Sequence, residues 1–311
     1  MKHHLFLIAL LGCAVIFSSS SCGKTDVTPA YVHIEYNDVN NCIDITNFNA
    51  VHETNLDVEE LNSLTQQNFT HVNVYVNGNN LGCWELPCNV PVLDITEGDS
   101  VSLVVLPCFR KTGMSNTIQG YPFLNALKQT VLLTRGKTYN VSEKPMQYIY
   151  SSYAHIPFME TFANSSDFTP SDSVNNNLNF TPTVIEERQV GAITLNSQNG
   201  LSFDVTSSYI TVPIYNYYVY LELTYKIESS MEIGLKLSTA TYPNTVHQLG
   251  GIYATDEWKT IYFDLSSVIQ SYNATSSTLT AIKWILTGMG DAGKDTHFYI
   301  DNMKVIYERS A

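Results

Sequence analysis

The sequence predicts an all-β protein of antiparallel β-sandwiches, and three observations carry this prediction. Residues 217–307 hold five segments in which apolar residues alternate with polar or aromatic ones, separated by Gly, Asn, Asp, Ser or Thr. Such alternation is typical of strands that bury one face. The chain has 20 Tyr and no long helical repeat. Its 311 residues suggest two domains rather than one.

The composition excludes some classes of partner. Hydrophobic residues make up 44% of the chain and charged residues only 14%, against the usual quarter. The formal net charge is −13, and no basic cluster interrupts it. An acidic chain without a basic patch argues against nucleic-acid binding and against electrostatic attraction to anionic lipid. The net charge itself keeps the protein soluble.

The first 21 residues have the pattern of an export signal. Lys2 gives a basic start, residues 5–17 are apolar, and four serines precede Cys22. The apolar run is too short to span a bilayer as a mature helix. The segment resembles the Ser-rich lipobox of Bacteroidota lipoproteins, which implies acylation of Cys22, for example by palmitate. Cys13 is a competing lipid site, which we disfavour because cleavage before it would leave an apolar start to the mature chain. The alternative to a lipoprotein signal is an ordinary secretory signal in which Cys22 is incidental.

The lipobox resemblance implies a location. The mature protein would be lipid-anchored in the outer membrane, facing either the periplasm or the cell surface, because two or three acyl chains give lasting attachment. Residues 22–30 are polar and form a flexible tether.

Residues 31–150 are predicted to form the first sandwich. Residues 31–36 alternate like a strand, and residues 37–68 are loop-like with a short helical turn near Val58–Leu64. The clearest hairpin signal is Asn77-Gly78 between two alternating runs at 71–85, because both residues accept the positive φ of a primed turn. The stretch from Val74-Tyr75-Val76-Asn77-Gly78 to Val101-Ser102-Leu103 resembles small PEGA-like sandwiches of the immunoglobulin type.

Four cysteines remain in this first domain after the signal and the lipid site. In an exported domain, an even number predicts up to two disulfides with three pairings, and buried free thiols are the alternative. Zinc is disfavoured, since the spacing of the middle pair is not that of a zinc finger and no His pair completes a site. The disulfide candidates are Cys42, Cys83, Cys88 and Cys108.

Residues 155–309 are predicted to form the second domain. Residues 158–162 would be its first strand, and 163–187 read as one long loop, which is unusual in a compact domain. Ser173 and Ser100 each follow Asp and precede Val, a pattern that resembles the O-glycosylation sequon of Bacteroidota. Ser173 is the better candidate because Ser100 opens a strand.

The last half of the chain resembles jelly-roll domains of the galactose-binding and carbohydrate-binding-module type. The motifs are Trp258 with Tyr262-Phe263-Asp264-Leu265, and Tyr299-Ile300-Asp301-Asn302. The resemblance implies that a jelly roll binds sugars or serves as a structural companion, without catalysis. It also implies a structural calcium held by Glu160 and Asp301, since calcium takes carboxylate oxygens. The alternative is that Asp301 caps a bulge and Glu160 faces water.

Alternation divides the strands of this domain into two faces. The core face is predicted to hold aliphatic and aromatic residues such as Val219, Leu221, Leu223, Ile261, Phe263, Leu265, Ile282, Trp284 and Leu286. The opposite face is predicted to expose a ligand platform of aromatic planes and acids. In the alternative, Trp258 belongs to the core and the Tyr residues stabilise the sheet through cross-strand pairs. The platform candidates are Tyr218, Tyr220, Trp258, Tyr262, Glu222 and Asp264.

No catalytic motif is present. The eight His show no metal-ligand spacing, and there is neither a nucleophile elbow nor a phosphate-binding loop. We therefore expect a non-enzymatic, outer-membrane-anchored lipoprotein whose jelly roll binds glycan or a glycosylated surface. The alternative is an accessory subunit of an outer-membrane secretion, motility or nutrient-uptake complex. A hydrolase that uses a carboxylate pair such as Glu222 and Asp264 is a third hypothesis.

Overall fold

The computed structural model describes residues 28–308, except 94, 97, 99, 115, 127, 172–176, 213–217, 240–244 and 275–278. The predicted signal, Cys22 and Ser173 lie outside the described residues. No described helix is long and apolar enough to cross a membrane. Strands dominate the described chain, which confirms the all-β prediction.

The N-terminal half of the described chain ends at Tyr150. Its strands are β1 (Ala30–Ile34), β2 (Ile43–Asp44), β3 (His71–Val76), β4 (Asn79–Glu85), β5 (Cys88–Val92), β6 (Ser100–Arg110), β7 (Ile118–Gly120), β8 (Leu124–Ala126), β9 (Gln129–Leu132), β10 (Thr138–Asn140) and β11 (Tyr148–Tyr150). Its helices are α1 (Asn37–Asn40), α2 (Phe48–His52) and α3 (Val58–Thr65), followed by a 3-10 turn at Val141–Glu143.

Three sheets build this half. Their strand orders are β10-β1-β5, β2-β11-β8 and β4-β3-β6-β7, and β9 also pairs with β6. The β1–β10 and β2–β11 pairs are parallel, and the other described ladders are antiparallel. The turn at Asn77 and Gly78 has φ values of 50° and 81°, which confirms the predicted primed hairpin.

Helix α3 confirms the short helix predicted near Val58–Leu64. Asp57 and Glu60 form a capping box, in which each side chain accepts a hydrogen bond of 2.8 Å from the other residue's backbone N–H. This reciprocal pair satisfies two of the N–H groups that a helix leaves free at its start. Helices α1 and α2 occupy part of the stretch that the sequence indicated as loop.

The C-terminal half is a jelly roll of two sheets. Its elements are β12 (Ala154–Glu160), β13 (Thr169–Pro170), β14 (Thr181–Ile185), β15 (Arg188–Leu195), β16 (Ser202–Thr206), β17 (Val219–Ile227), β18 (Met231–Thr239), β19 (Thr245–Ile252), β20 (Thr255–Asp264), α4 (Ser266–Ala274), β21 (Leu279–Met289) and β22 (Thr296–Glu308). The inner sheet has the order β14-β15-β22-β17-β20, with β12 also paired to β22. The outer sheet has the order β13-β16-β21-β18-β19.

The core between the two sheets contains the residues that alternation assigned to it. Val219, Leu221 and Leu223 are buried, as are the predicted core residues of β20 and β21. The predicted long loop at 163–187 is wrong in part, because β13 and β14 both lie within it. Residues Thr181–Ile185 form β14, which pairs with β15 through a two-residue turn at Glu186 and Glu187.

The inner sheet is covered on both faces. One face packs on the outer sheet, and the other lies against the N-terminal half. Tyr220, Tyr262 and Ile306 project from this second face and belong to the hydrophobic cluster of the N-terminal half. An isolated bridge between Lys111 and Tyr262 also joins the halves. The face opposite the jelly-roll core is therefore an interface.

Candidate functional site

The predicted exposed platform on the inner sheet is wrong. The side chains of Tyr220 and Tyr262 are 0% and 2% exposed. The centre of the Tyr262 ring lies 4.7 Å from that of Phe109 and 6.2 Å from that of Phe69. These rings fill the space between the halves, so no ligand reaches them. Alternation correctly separated the two faces of the sheet, but the second face meets protein instead of solvent.

The two acids of the predicted platform are also committed to the interface. Glu222 forms a 2.8 Å ion pair with Lys304, and both side chains are 1% exposed. The hydroxyl of Tyr121 donates to the same carboxylate. Burial, reinforced by the Glu222 charge, raises the pKa of Tyr121 well above its usual value. Asp264 pairs with Lys111 at 2.7 Å. Glu222 is thus buried and paired, so Glu222 and Asp264 do not form an exposed carboxylate pair.

Hydrogen bonds across the interface pair several of its polar groups, while the buried Asn302 Oδ1 has no hydrogen-bond partner among the described residues. The Tyr262 hydroxyl donates to Gln67 Oε1 at 3.1 Å, and Gln119 Nε2 donates to the Tyr220 hydroxyl at 2.8 Å. Asn302 Nδ2 donates to the carbonyl of Ser63 at 2.9 Å. Buried polar groups need such partners, because an unpaired one retains its full desolvation cost. The halves are therefore joined by specific bonds as well as by apolar packing.

Tyr218 and Trp258 are the platform candidates that keep solvent exposure. Tyr218 is 37% exposed, and Trp258 is half-buried. Two residues that contact the Trp258 indole, Arg188 and Glu186, line a groove between the halves, which we call the interdomain groove. The groove has a volume of about 370 Å³, at the lower end of the range for ligand sites. Residues that line it from the N-terminal half include Glu59, Asn62 and Gln66, and from the C-terminal half Glu187, Arg188 and Asp301.

Arg188 connects the rim of the groove to both halves. Its guanidinium lies over the Trp258 ring, 5.0 Å from the ring centre. Its Nη1 donates to Asp301 Oδ2 at 2.9 Å and to Gln66 Oε1 at 3.2 Å. A guanidinium held by a carboxylate and an aromatic face is fixed in orientation. The indole is therefore held in one position, with a residue that lines the groove over its ring.

Glu186 holds the other edge of the indole. Trp258 Nε1 donates to Glu186 Oε2 at 3.0 Å, and Lys226 Nζ lies 2.6 Å from Glu186 Oε1. The hydrogen bonds from Lys226 and Trp258 lower the pKa of the Glu186 carboxyl. This carboxylate stays ionised and is bonded to both Lys226 and Trp258. It therefore fixes the position of the Trp258 indole.

The turn that carries Glu186 and Glu187 is strained. Their φ values are 52° and 66°, in the left-handed region that favours Gly and Asn. Each such residue costs about 1–3 kcal/mol, and conformations of this kind cluster at functional sites. Both strained residues line the interdomain groove. We take it as a second indication that the groove is functional.

Both carboxylates of the predicted calcium site at Glu160 and Asp301 have protein partners in the structure. The backbone N–H groups of Phe162 and Asp167 donate to Glu160 at 2.6 and 2.5 Å. Arg188 lies where a cation would neutralise Asp301. Burial raises the pKa of both acids. Glu160 is buried, so it does not face water as the alternative proposed. No group of metal-ligating side chains occurs in the part of the chain that the structure describes.

The four cysteines of the N-terminal half are free thiols, so the predicted disulfides are absent. Cys83 and Cys108 lie on β4 and β6, on either side of β3. Their side chains are hydrogen-bonded to each other as thiols. Burial raises the pKa of Cys88 to about 11 and that of Cys108 to about 12, so these thiols are protonated. Cys42 is half-buried, and Ser100 is exposed at the start of β6.

No protein-family model matches this chain, and no curated protein sequence does. Among solved structures, the chain is similar to the K3 adhesin domain of Lys-gingipain from Porphyromonas gingivalis. The identity is 11% and the TM-score 0.35, over 49% of this chain and 98% of that one. The chain is also similar to a fragment of Clostridium thermocellum xylanase Xyn10B that joins a carbohydrate-binding module to a xylanase module and was solved with xylohexaose. The identity is 11% and the TM-score 0.35.

That second match covers 50% of this chain but only 29% of the xylanase fragment. A third structure, of carbohydrate-binding modules from the β-sandwich superfamily, matches at 10% identity and a TM-score of 0.34. It covers 76% of this chain and 85% of that one. At these scores, none of the three bears on what this protein binds.

Proposed function

We propose that the protein is a non-catalytic, glycan-binding lipoprotein whose binding site is the interdomain groove. The observation that carries the proposal is the lining of the groove. Its walls present amide, hydroxyl, carboxylate and guanidinium groups from both halves, and the half-exposed indole of Trp258 contacts two of the lining residues, Arg188 and Glu186. The proposal moves the site from the inner-sheet face, where the sequence indicated it, to the edge of the same sheet.

This lining matches the chemistry of a sugar. A pyranose ring presents hydroxyls around its edge, which bond to amides such as those of Asn62 and Gln66. Its apolar face stacks on an aromatic plane, and a few convergent polar groups around such a plane fix the orientation of a ligand. Because Arg188 and Glu186 hold Trp258 in place, little side-chain freedom is lost on binding.

The proposal is tested by calorimetric titration of the purified protein with neutral oligosaccharides selected on a glycan array. Trp258→Ala and Gln66→Ala are each expected to weaken binding at least about tenfold, which corresponds to ~1.4 kcal/mol. Tyr253→Ala is the matched control, since this ring is 83% exposed at the edge of the outer sheet. Equal losses in all three variants, or a loss confined to Tyr253→Ala, would contradict a site in the groove.

We also propose that Cys22 carries the lipid anchor in the outer membrane. Support comes from the basic start, the short apolar run and the serines before Cys22. In Cys22→Ser, the protein is expected to leave the membrane fraction or to remain unprocessed. Labelled palmitate that still enters this variant would overturn the assignment.

An accessory role in an outer-membrane complex is the second candidate. It is favoured by large apolar side chains on and beside the outer sheet, Val246, Tyr253 and Met289, which are exposed. Exposed apolar groups of this kind mark protein contacts when they are contiguous. Co-purification of a membrane complex from detergent, with no saccharide bound by the groove, would favour this role over the first.

A further inference from the structure

The interdomain groove has carboxylates that no described cation neutralises. Two of its four acids are paired, Asp301 with Arg188 and Glu186 with Lys226. Glu59 and Glu187 form no ion pair with any described residue. Arg188 is the only Lys or Arg among the described groove residues, and its charge is taken by Asp301.

The two unpaired carboxylates come from different halves. Glu59 lies in the first turn of α3, and Glu187 lies on the strained turn between β14 and β15. A ligand in the groove therefore meets one unpaired negative charge from each half. The dipole of α3 favours a negative side chain at the position of Glu59.

This charge pattern discriminates between saccharides of similar shape. A uronate or a sulfated sugar would bring a negative charge next to Glu59 and Glu187 and find no free guanidinium or ammonium. The net charge of −13 adds long-range repulsion. An ammonium group would find two carboxylates, and a ring of hydroxyls would still find the amides of the walls.

We infer that the groove recognises saccharides that carry a free ammonium group and rejects uronates and sulfated sugars. This inference rests on the proposed function. The ligand class is thus an amino sugar whose nitrogen is not acetylated. A metal ion is not the occupant that the geometry indicates, because no set of three ligating side chains forms among the described residues.

Titration with three trisaccharides tests the inference. They are the trisaccharide of glucosamine, the same trisaccharide with every nitrogen acetylated, and the trisaccharide of galacturonic acid. The glucosamine trisaccharide is expected to bind several-fold more tightly than the acetylated one, and the galacturonic acid trisaccharide not at all. Glu59→Gln and Glu187→Gln should each weaken glucosamine binding about two- to fivefold, as for exposed ion pairs. Binding of the acetylated trisaccharide should be unchanged in both variants.

Glu143→Gln is the matched control, since it makes the same change in net charge at an exposed site outside the groove. If it weakens glucosamine binding as much, the attraction reflects net charge and the inference is wrong. The inference fails, and the proposed function stands, if the acetylated trisaccharide binds as tightly as the glucosamine trisaccharide and Trp258→Ala weakens that binding. If no saccharide of any charge binds, the proposed function and the inference both fail.

Discussion

Replacing Lys304 with methionine is expected to lower the free energy of unfolding by about 3–5 kcal/mol, as for other buried ion pairs that lose one partner. Lys304 and Glu222 are each 1% exposed and 2.8 Å apart. The substitution removes the ion-pair partner of the buried Glu222 carboxyl and leaves the Tyr121 hydroxyl as its remaining donor. Urea denaturation measures the loss. Because the pair lies between the halves, the whole described chain is destabilised.

The double variant Lys304→Met, Glu222→Gln is the control for this prediction. A neutral amide still accepts the hydrogen bond from Tyr121, so most of the lost stability is expected to return. Replacing both members of a buried pair is often neutral, whereas removing one is not. A loss below about 1 kcal/mol in the single variant would contradict a dry interface, because exposed pairs contribute that little.

Replacing Tyr262 with alanine is expected to lower the free energy of unfolding by about 3–5 kcal/mol, the range for large aromatic residues in cores. The ring packs against Phe69, Phe109 and Tyr121, and its removal leaves a cavity between the halves. Thermal and urea denaturation both measure this effect.

Two further variants delimit the cause of the Tyr262 effect. Tyr262→Phe keeps the ring and loses the bond to Gln67, so its expected cost is about 1 kcal/mol. Tyr253→Ala removes an exposed ring and should leave stability unchanged. A Tyr262→Ala protein as stable as Tyr253→Ala would restore the exposed platform that the sequence indicated.

Local patterns in the sequence predict the strands and the jelly-roll core well. Alternation has a period of two residues, so it assigns a side chain to one face of a strand without knowledge of the neighbouring strands. Val219, Leu221 and Leu223 were assigned to the core in this way, and all three are buried. The hairpin at Asn77 and Gly78 follows from backbone chemistry within two residues, which is equally local.

Alternation could not predict what covers the second face of the inner sheet. Tyr220 and Glu222 alternate with aliphatic residues, as exposed side chains also do. One signal was present in β22, where Val305, Ile306 and Tyr307 are consecutive and apolar. Unbroken apolar runs indicate a strand buried on both faces. Since β22 is central in the inner sheet, this run pointed to a covered face.

The interdomain groove has no sequence signature. It brings residues of α3 together with the β14–β15 turn and β22, which lie more than a hundred positions apart. The turn itself was missed because Glu186 and Glu187 are not turn-forming residues. The pairing of Arg188 with Asp301 has no local signal either, because the two residues are 113 positions apart, and the calcium expected at Asp301 followed from the jelly-roll resemblance.

A crystal structure of the protein soaked with the tightest-binding oligosaccharide tests the location of the site most directly. We expect density for a sugar ring between the halves, with its face near the Trp258 indole and its hydroxyls bonded to Gln66 and Asn62. The inner-sheet face should stay closed, with Tyr220 and Tyr262 in contact with the N-terminal half. Density on the outer sheet alone, with the interdomain groove empty, would contradict the proposed site.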